Sequence, residues 1–140
     1  MRGFHADGDT IRLAVRRQDG TRIIGEVPLR TASAAARQVV IGWVYHPAAK
    51  GLGYATEAAR GAMGLAFDLG AHRLYARVDV DNLASVRLRE RLGMRREAHL
   101  VDNDVHVAGR WRIGCVYARL ARAPRCGAVH SATRSVDRGW

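Results

Sequence analysis

Apolar and polar residues alternate along residues 11–16 (IRLAVR), the period-two pattern of a half-buried strand. RQDGTR then offers an Asp-Gly turn and IIGEVPL resumes the extended pattern, so the two runs predict a β-hairpin. Residues 31–37 (TASAAAR) predict a loop between strands, although the alanines would tolerate a short helix. The β-branched and aromatic run QVVIGWVYHP predicts a third strand halted by Pro47. Beyond it the period changes. Ala55, Ala58, Ala59, Ala62, Met63, Ala66 and Leu69 recur at helical spacing, with Thr56, Glu57, Arg60 and Asp68 on the other side. The buried stripe is mostly alanine, which lets this helix lie close against a sheet. Gly61 and Gly64 weaken it by about 1 kcal/mol each relative to Ala, and Gly70 is placed to end it.

HRLYARVDV predicts the next strand, and DNLASVRLRERLG a short helix with Asp81 or Asn82 as N-cap and Gly93 as its stop. RREAHLVDNDVHV and RWRIGCVYARL, separated by a turn at Gly109, predict a closing strand pair in which Asp102 and Asp104 face the same side. The predicted order is β-β-β-α-β-α-β-β. That is an α/β (α+β) domain over residues 1–120, built on a mixed sheet with helices on its faces. From Ala121 the chain loses usable periodicity, and residues 121–140 predict a basic, disordered tail.

Composition narrows the class. A chain of 140 residues, 48% apolar and 26% charged, is one globular domain. No apolar run approaches the roughly 18–20 residues that span a bilayer. The opening MRGFHADGDTIRLAV lacks the apolar segment of a secretory leader, so the expectation is a cytoplasmic protein with no membrane partner. Cys115 and Cys126 show no Cys-x-x-Cys or Cys/His spacing, and the six histidines form no ligand pair, which argues against a metal site or a disulfide framework. The net charge of +10 suits an anionic partner, and Lys50 is the sole lysine. The arginines gather on no single helix and no aromatic platform accompanies them, which speaks against nucleic acid as that partner.

The stretch HPAAKGLGYATEA places two glycines one residue apart just before the alanine-rich helix. It is neither a Walker loop, which needs Gly-x-x-x-x-Gly-Lys-Ser/Thr, nor a dinucleotide fingerprint, because Thr56 stands at the third glycine position. What remains is a strand, a proline stop, a tight turn and a helix N-terminus, an arrangement that turns backbone N–H groups and the positive end of the helix dipole towards an anion. A glycine-eased strand-to-helix turn with no ligand has the same pattern.

KGLGYA resembles motif A of the GNAT acetyltransferases, Arg/Gln-x-x-Gly-x-Gly/Ala, with Gly53 and Ala55 matching and Lys50 where Arg or Gln is usual. About thirty residues on, NLASVRLRERLGM resembles their motif B, with Asn82, Ser85, Leu92, Gly93 and Met94 matching. HPxxxGxGYATEA, HRLYAR, RLGMRREAHL and VYARL are similar to the branch that contains ribosomal-protein alanine N-acetyltransferases. The resemblance covers roughly residues 10–120. It implies a mostly antiparallel sheet and acetyl-CoA as donor, with no metal. The pyrophosphate would rest on the amides of Lys50, Gly51, Leu52, Gly53, Tyr54 and Ala55. The pantetheine arm would pair with the backbone of Trp43, Val44 and Tyr45 where that strand splays from its neighbour, and Asn82 and Ser85 would approach the arm and sulfur. Asn82 as a plain N-cap and Ser85 as a first-turn residue are compatible with those roles.

The reaction so implied is direct attack by a neutral primary amine, of a protein N-terminus or a small molecule, on the thioester. Ser85 matches the branch's proposed acid. Asp104 falls at its proposed base when counted from Ser85, with Glu26 as the alternative, and both aspartates could equally be ordinary hairpin-end carboxylates. His46 reads as a structural residue of the splay. Three positions depart from wider family patterns: Arg89 stands where many members carry a tyrosine acid, and Arg77 and Val40 where glutamates are frequent. The resemblance also implies that the strand and two helices usual before Ile11 are lacking, leaving the acceptor side abridged; an alternative start site, a truncated paralogue or a homodimer supplying the missing wall would each explain it. The alternative function is a non-catalytic acyl-CoA-binding or interaction module.

Overall fold

The computed structural model describes residues 4–49, 51, 53–105 and 108–122. The chain runs β1 (Thr10–Arg16), β2 (Ile23–Ser33), β3 (Gln38–Ile41), β4 (Val44–Tyr45), a 3-10 turn (Pro47–Ala49), α1 (Tyr54–Asp68), β5 (Arg73–Asp79), α2 (Leu83–Arg91), β6 (Arg95–Val105) and β7 (Trp111–Leu120). One mixed sheet has the order β1-β2-β3-β5-β7-β6, with β4 also on β2, and only the β3–β5 pair is parallel.

Two differences from the sequence pattern have local causes. TASAAAR is not a loop throughout: β2 continues to Ser33, because Thr31 pairs with Val39 and is buried, and only residues 34–37 turn. The turn closes on Arg37, whose left-handed φ of 51° lets its carbonyl accept from the N–H groups of both His72 and Arg73. The run QVVIGWVYHP is interrupted at Gly42 and Trp43 rather than continuous. It keeps one register along β2 all the same, from Leu29↔Ile41 to Glu26↔Val44 and Gly25↔Tyr45.

Both helices cover the same face. The parallel crossover β3–α1–β5 and the connection β5–α2–β6 step across the sheet in the same direction, and right-handed connections then place both helices on one side. Val27, Leu29, Val39, Ile41, Leu74, Ala76, Val78, Cys115 and Tyr117 alternate into a single core with Ala59, Ala62, Met63 and Ala66 of α1 and Leu88 and Leu92 of α2. Phe4, beyond the predicted elements, is also part of that core. Arg119 ties the helices together, donating to the Leu92 carbonyl at 2.9 Å and to the Met63 sulfur at 3.4 Å. Among the described residues no helix is long and apolar enough to cross a membrane.

A Cβ at Gly61 would meet nothing within 4 Å, and this glycine lies mid-helix on an exposed side of α1. Gly61→Ala is therefore expected to stabilise the protein by about 0.5–1 kcal/mol, read as a raised urea midpoint.

Candidate functional site

The parallel pairing of β3 with β5 stops at Val40↔Tyr75. β4 stays on β2, whereas β5 continues to Asp79 with β7 on one side only. A V-shaped opening therefore separates β4 from the second half of β5, and strand backbone facing it has no ladder partner across the gap.

β4 is held in place by an unusual fit. Opposite Tyr45 stands Gly25, where a Cβ would overlap the Tyr45 ring at Cδ1 and stand 2.8 Å from the Val44 carbonyl oxygen. The ring thus occupies the space over Gly25, and its hydroxyl donates to the Ala55 carbonyl in the first turn of α1 at 3.1 Å. Burial pushes the Tyr45 phenol up to about 12, so it stays protonated as a donor. The end of β4 and the start of α1 are in this way fixed to each other.

Between them runs the glycine turn. Pro47–Ala49 forms the 3-10 turn, fastened by the His46 N–H to the Ile24 carbonyl at 2.8 Å and by the Ala48 N–H to His46 Nδ1 at 3.1 Å. The His46 side chain thus braces the turn through Nδ1. Gly51 and Gly53 have φ of 78° and 81°, a region that costs an L-residue roughly 1–2 kcal/mol. A Cβ at either position would meet nothing within 4 Å. Backbone conformation therefore demands these glycines, and among the described residues no side chain crowds the space in front of them. α1 starts from Gly53 with no side-chain cap, and its first backbone bond among the described residues is Glu57 N–H to Gly53 C=O at 3.2 Å. An uncapped helix start behind an open glycine turn is suited to a phosphate. Arg17 stacks on Tyr54 at 5.5 Å, and a cleft of about 340 Å³ lined by Arg17, Arg22, His46 and Tyr54 adjoins the turn. Lys50 and Leu52 lie outside the described residues.

α2 brings the second group of predicted residues to the V. Asn82 is the N-cap, its Oδ1 accepting the Ser85 N–H at 3.1 Å, which decides between it and Asp81. The Ser85 hydroxyl meets Trp43 Nε1 at 3.4 Å, so residues 42 positions apart in the chain close on each other across the opening. One turn further along α2, Arg89 is 4% exposed. Its guanidinium carbon lies 4.4 Å from the Trp43 ring centroid, and Nη2 donates to the Arg77 carbonyl on β5 at 2.8 Å. Arg89 therefore spans the V from the β4 side to a carbonyl two residues past the last β3–β5 pair. Among the described residues its Nε and Nη1 are buried with no hydrogen-bond partner, and none of the ion pairs includes it. Burial pulls its pKa down to about 10, partly offset by Tyr117 and Cys115, which leaves the cation intact at neutral pH.

The predicted bases lie elsewhere. By strand alternation Glu26 points to the face opposite the helices, where it is paired with Arg12 at 2.6 Å. Asp104 sits on β6 opposite Arg112, its Oδ1 accepting the neighbouring Val105 N–H at 2.8 Å. Asp102 does not share its side in the way regular alternation predicts. The register jumps between Leu100↔Gly114 and Asp104↔Arg112, and Asp102 adopts a left-handed φ of 51° inside this bulge. Asn103 fills the gap by accepting the Gly114 N–H at 3.0 Å. Asp104 and Asn103 line a small cleft of about 140 Å³ with Arg77, Asp79 and Arg112.

Two residues of the V were not singled out as site residues from sequence. Arg89 was noted only for replacing a tyrosine. Asp79, read there as part of a strand, accepts from Arg112 Nε at 2.7 Å and from the Asp81 N–H at 3.0 Å. Their signal is position alone: each lies beside a predicted site residue.

Comparison with known proteins places the chain in a family. A family model described as an acetyltransferase (GNAT) domain matches residues 2–95. An uncharacterized N-acetyltransferase, YnaD, of Bacillus subtilis (strain 168) is 40% identical over 58 residues, 41% of this chain and 34% of its own length. The structure of a GNAT-family acetyltransferase from Bacillus anthracis superposes with a TM-score of 0.73 at 28% identity, over 79% of this chain and 66% of that one. A spermidine N-acetyltransferase, SpeG, from Vibrio cholerae gives 0.74 at 26% identity, over 80% and 66%. The chain thus matches about a third of the curated relative's length and just under two thirds of these two solved structures.

Proposed function

The chain belongs to the GNAT acetyltransferase family, and from that premise we propose that it moves an acetyl group from acetyl-CoA to a primary amine by direct attack. The observation that carries this reading is the V itself, with the open glycine turn at one end of β4 and the Ser85–Trp43 contact at the other. Residues 50–55 hold the pyrophosphate through backbone N–H groups and the start of α1. The backbone of Trp43, Val44 and Tyr45, unpaired on the side of β5, aligns the arm as a further strand would. Acetyl-CoA supplies the activated acyl group, and the work of this chain is to hold the carbonyl in line and handle one proton.

An amine at neutral pH is mostly protonated, with ordinary values of about 8 for an α-amino group and about 10.4 for a lysine-type amine, so a base must take its proton before attack. We assign that role to Asp104, which shares a cleft with Arg77 and Asp79 of the second half of β5, whereas Glu26 lies on the opposite face and is held by Arg12, and we assign Ser85 to the donor end. The motif resemblance favours the alanine N-acetyltransferase branch and hence a protein N-terminus as acceptor. SpeG, by its name a spermidine N-acetyltransferase, brings polyamines into the same range. Asp104→Asn is expected to slow turnover about 100–10,000-fold with acetyl-CoA affinity unchanged, as loss of a general base does. A full-rate variant would return Asp104 to the hairpin surface.

The direct test is calorimetric titration with acetyl-CoA, followed by thiol release across peptides and polyamines. Folded protein that binds no acetyl-CoA would overturn the reading. Binding with thiol release at background would favour the acyl-CoA-binding module, a reading supported by the ion pair that already occupies Glu26.

A further inference from the structure

On the acetyl-CoA reading, we propose that Arg89 is a catalytic residue, the cation that takes up the negative charge on sulfur as the thioester breaks, and that the Trp43 indole covers it until the arm enters. Arg89 is the one side chain among the described residues whose guanidinium is buried with two N–H-bearing nitrogens unspent. A buried cation with unmet donors is costly, and replacing such a group by an apolar one is often neutral or stabilising. Its position is that of a plug in the V: the indole of Trp43 on one side, the carbonyl of Arg77 on the other, and Ser85 one helical turn away. The titratable groups set against it are Tyr117 and Cys115 of β7. The contacts from the other two elements come from an indole and a backbone carbonyl, and no carboxylate pairs with it.

Trp43 meets the guanidinium by stacking and Ser85 by a single long hydrogen bond, neither through backbone, and its half-buried indole also packs against the core. Rotation of the indole off the guanidinium is the movement this proposal requires. In the reaction, the amine nitrogen bonds to the carbonyl carbon and the carbon–sulfur bond breaks with its electron pair on sulfur. The amine proton passes through the base to water. The thiolate rests on Arg89 and takes a proton from solvent on leaving. A tyrosine in this place would instead supply the proton, so the substitution exchanges a general acid for an electrostatic one.

The test needs no acceptor. CoA and dethio-CoA, which lacks the sulfur, are titrated into the full chain from about pH 6.5 to about pH 9, spanning the ordinary thiol range. A cation facing the sulfur lowers the bound thiol's pKa, so CoA affinity rises with pH by about tenfold per unit of lowering, while dethio-CoA stays level. A protein group that titrates in this range would move both ligands alike. In Arg89→Met the CoA and dethio-CoA profiles coincide. Equal profiles in the unaltered protein, or a pH-dependent difference that survives in a folded Arg89→Met variant, would overturn the proposal. Failure of both ligands and of acetyl-CoA to bind would overturn the acetyl-CoA reading and this one with it. With Trp111 and Trp140 replaced by Phe, Trp43 emission changes on saturation with dethio-CoA; emission unchanged at saturation would overturn the covering role.

Discussion

Gly25→Ala is expected to destabilise the protein by about 2–3 kcal/mol, lowering the thermal midpoint by about 7–10 °C. The added methyl cannot be absorbed by a side-chain rotation alone. It overlaps the Tyr45 ring and presses at 2.8 Å on the Val44 carbonyl, which is backbone. Relief requires β4 to lift from β2, and lifting β4 breaks the Tyr45–Ala55 hydrogen bond that seats the first turn of α1. The loss should thus appear twice, as a lower melting temperature and as weaker acetyl-CoA binding. In Gly25→Ala/Tyr45→Ala the ring overlap is gone while the carbonyl contact stays, so the double variant should lose less than the two single changes summed. Strict additivity would show that the ring does not rest on Gly25.

Gly53→Val is expected to raise the dissociation constant for acetyl-CoA at least about 100-fold, or about 2.7 kcal/mol. The reasoning differs from that for Gly25, since a Cβ at Gly53 strikes no protein atom. The cost to the folded protein comes from the left-handed φ of 81° forced on a β-branched residue. The cost to binding adds a side chain before the uncapped start of α1, where the proposed acetyl-CoA reading brings a phosphate close to the backbone. Gly53→Ala separates the two, because it keeps most of the backbone strain with a smaller obstruction, and it should bind between wild type and Val. Unchanged affinity in a folded Gly53→Val protein would remove the glycine turn from the site.

The elements themselves were readable because each carries its own period. IRLAVR and the alanine stripe of α1 need no tertiary information to be told apart, and Asn82 and Gly93 mark the ends of α2 in single residues. The opening of the sheet was not readable from periodicity. Val40 to Tyr45 look alike in sequence, and only the departure of β5 makes the last of them line a gap. Motif resemblance supplied that splay where pattern could not. The bulge of β6 was missed because alternation was assumed across VDND, although Asp and Asn are the residues that most readily adopt the left-handed region. Arg89 was hidden for a deeper reason. An arginine on a helix of charged residues reads as solvated surface, and its burial exists only once Trp43 arrives from another part of the chain.

Only three residue pairs, Gln38↔Arg73 to Val40↔Tyr75, join β3 to β5. The sheet is thus two antiparallel halves, β1 to β4 and β5 to β6, stitched by a short parallel seam under α1 and α2. Parallel pairing is the weaker kind per residue, and so short a run of it offers little cooperativity between the halves. Amides of β6 and β7 should therefore exchange with deuterium on a different schedule from those of β1 and β2. A molecule lying in the V touches both halves and closes the gap that the ladder leaves. Saturating ligand should draw the two exchange schedules together, making the substrate a third fastening of the fold as well as its cargo.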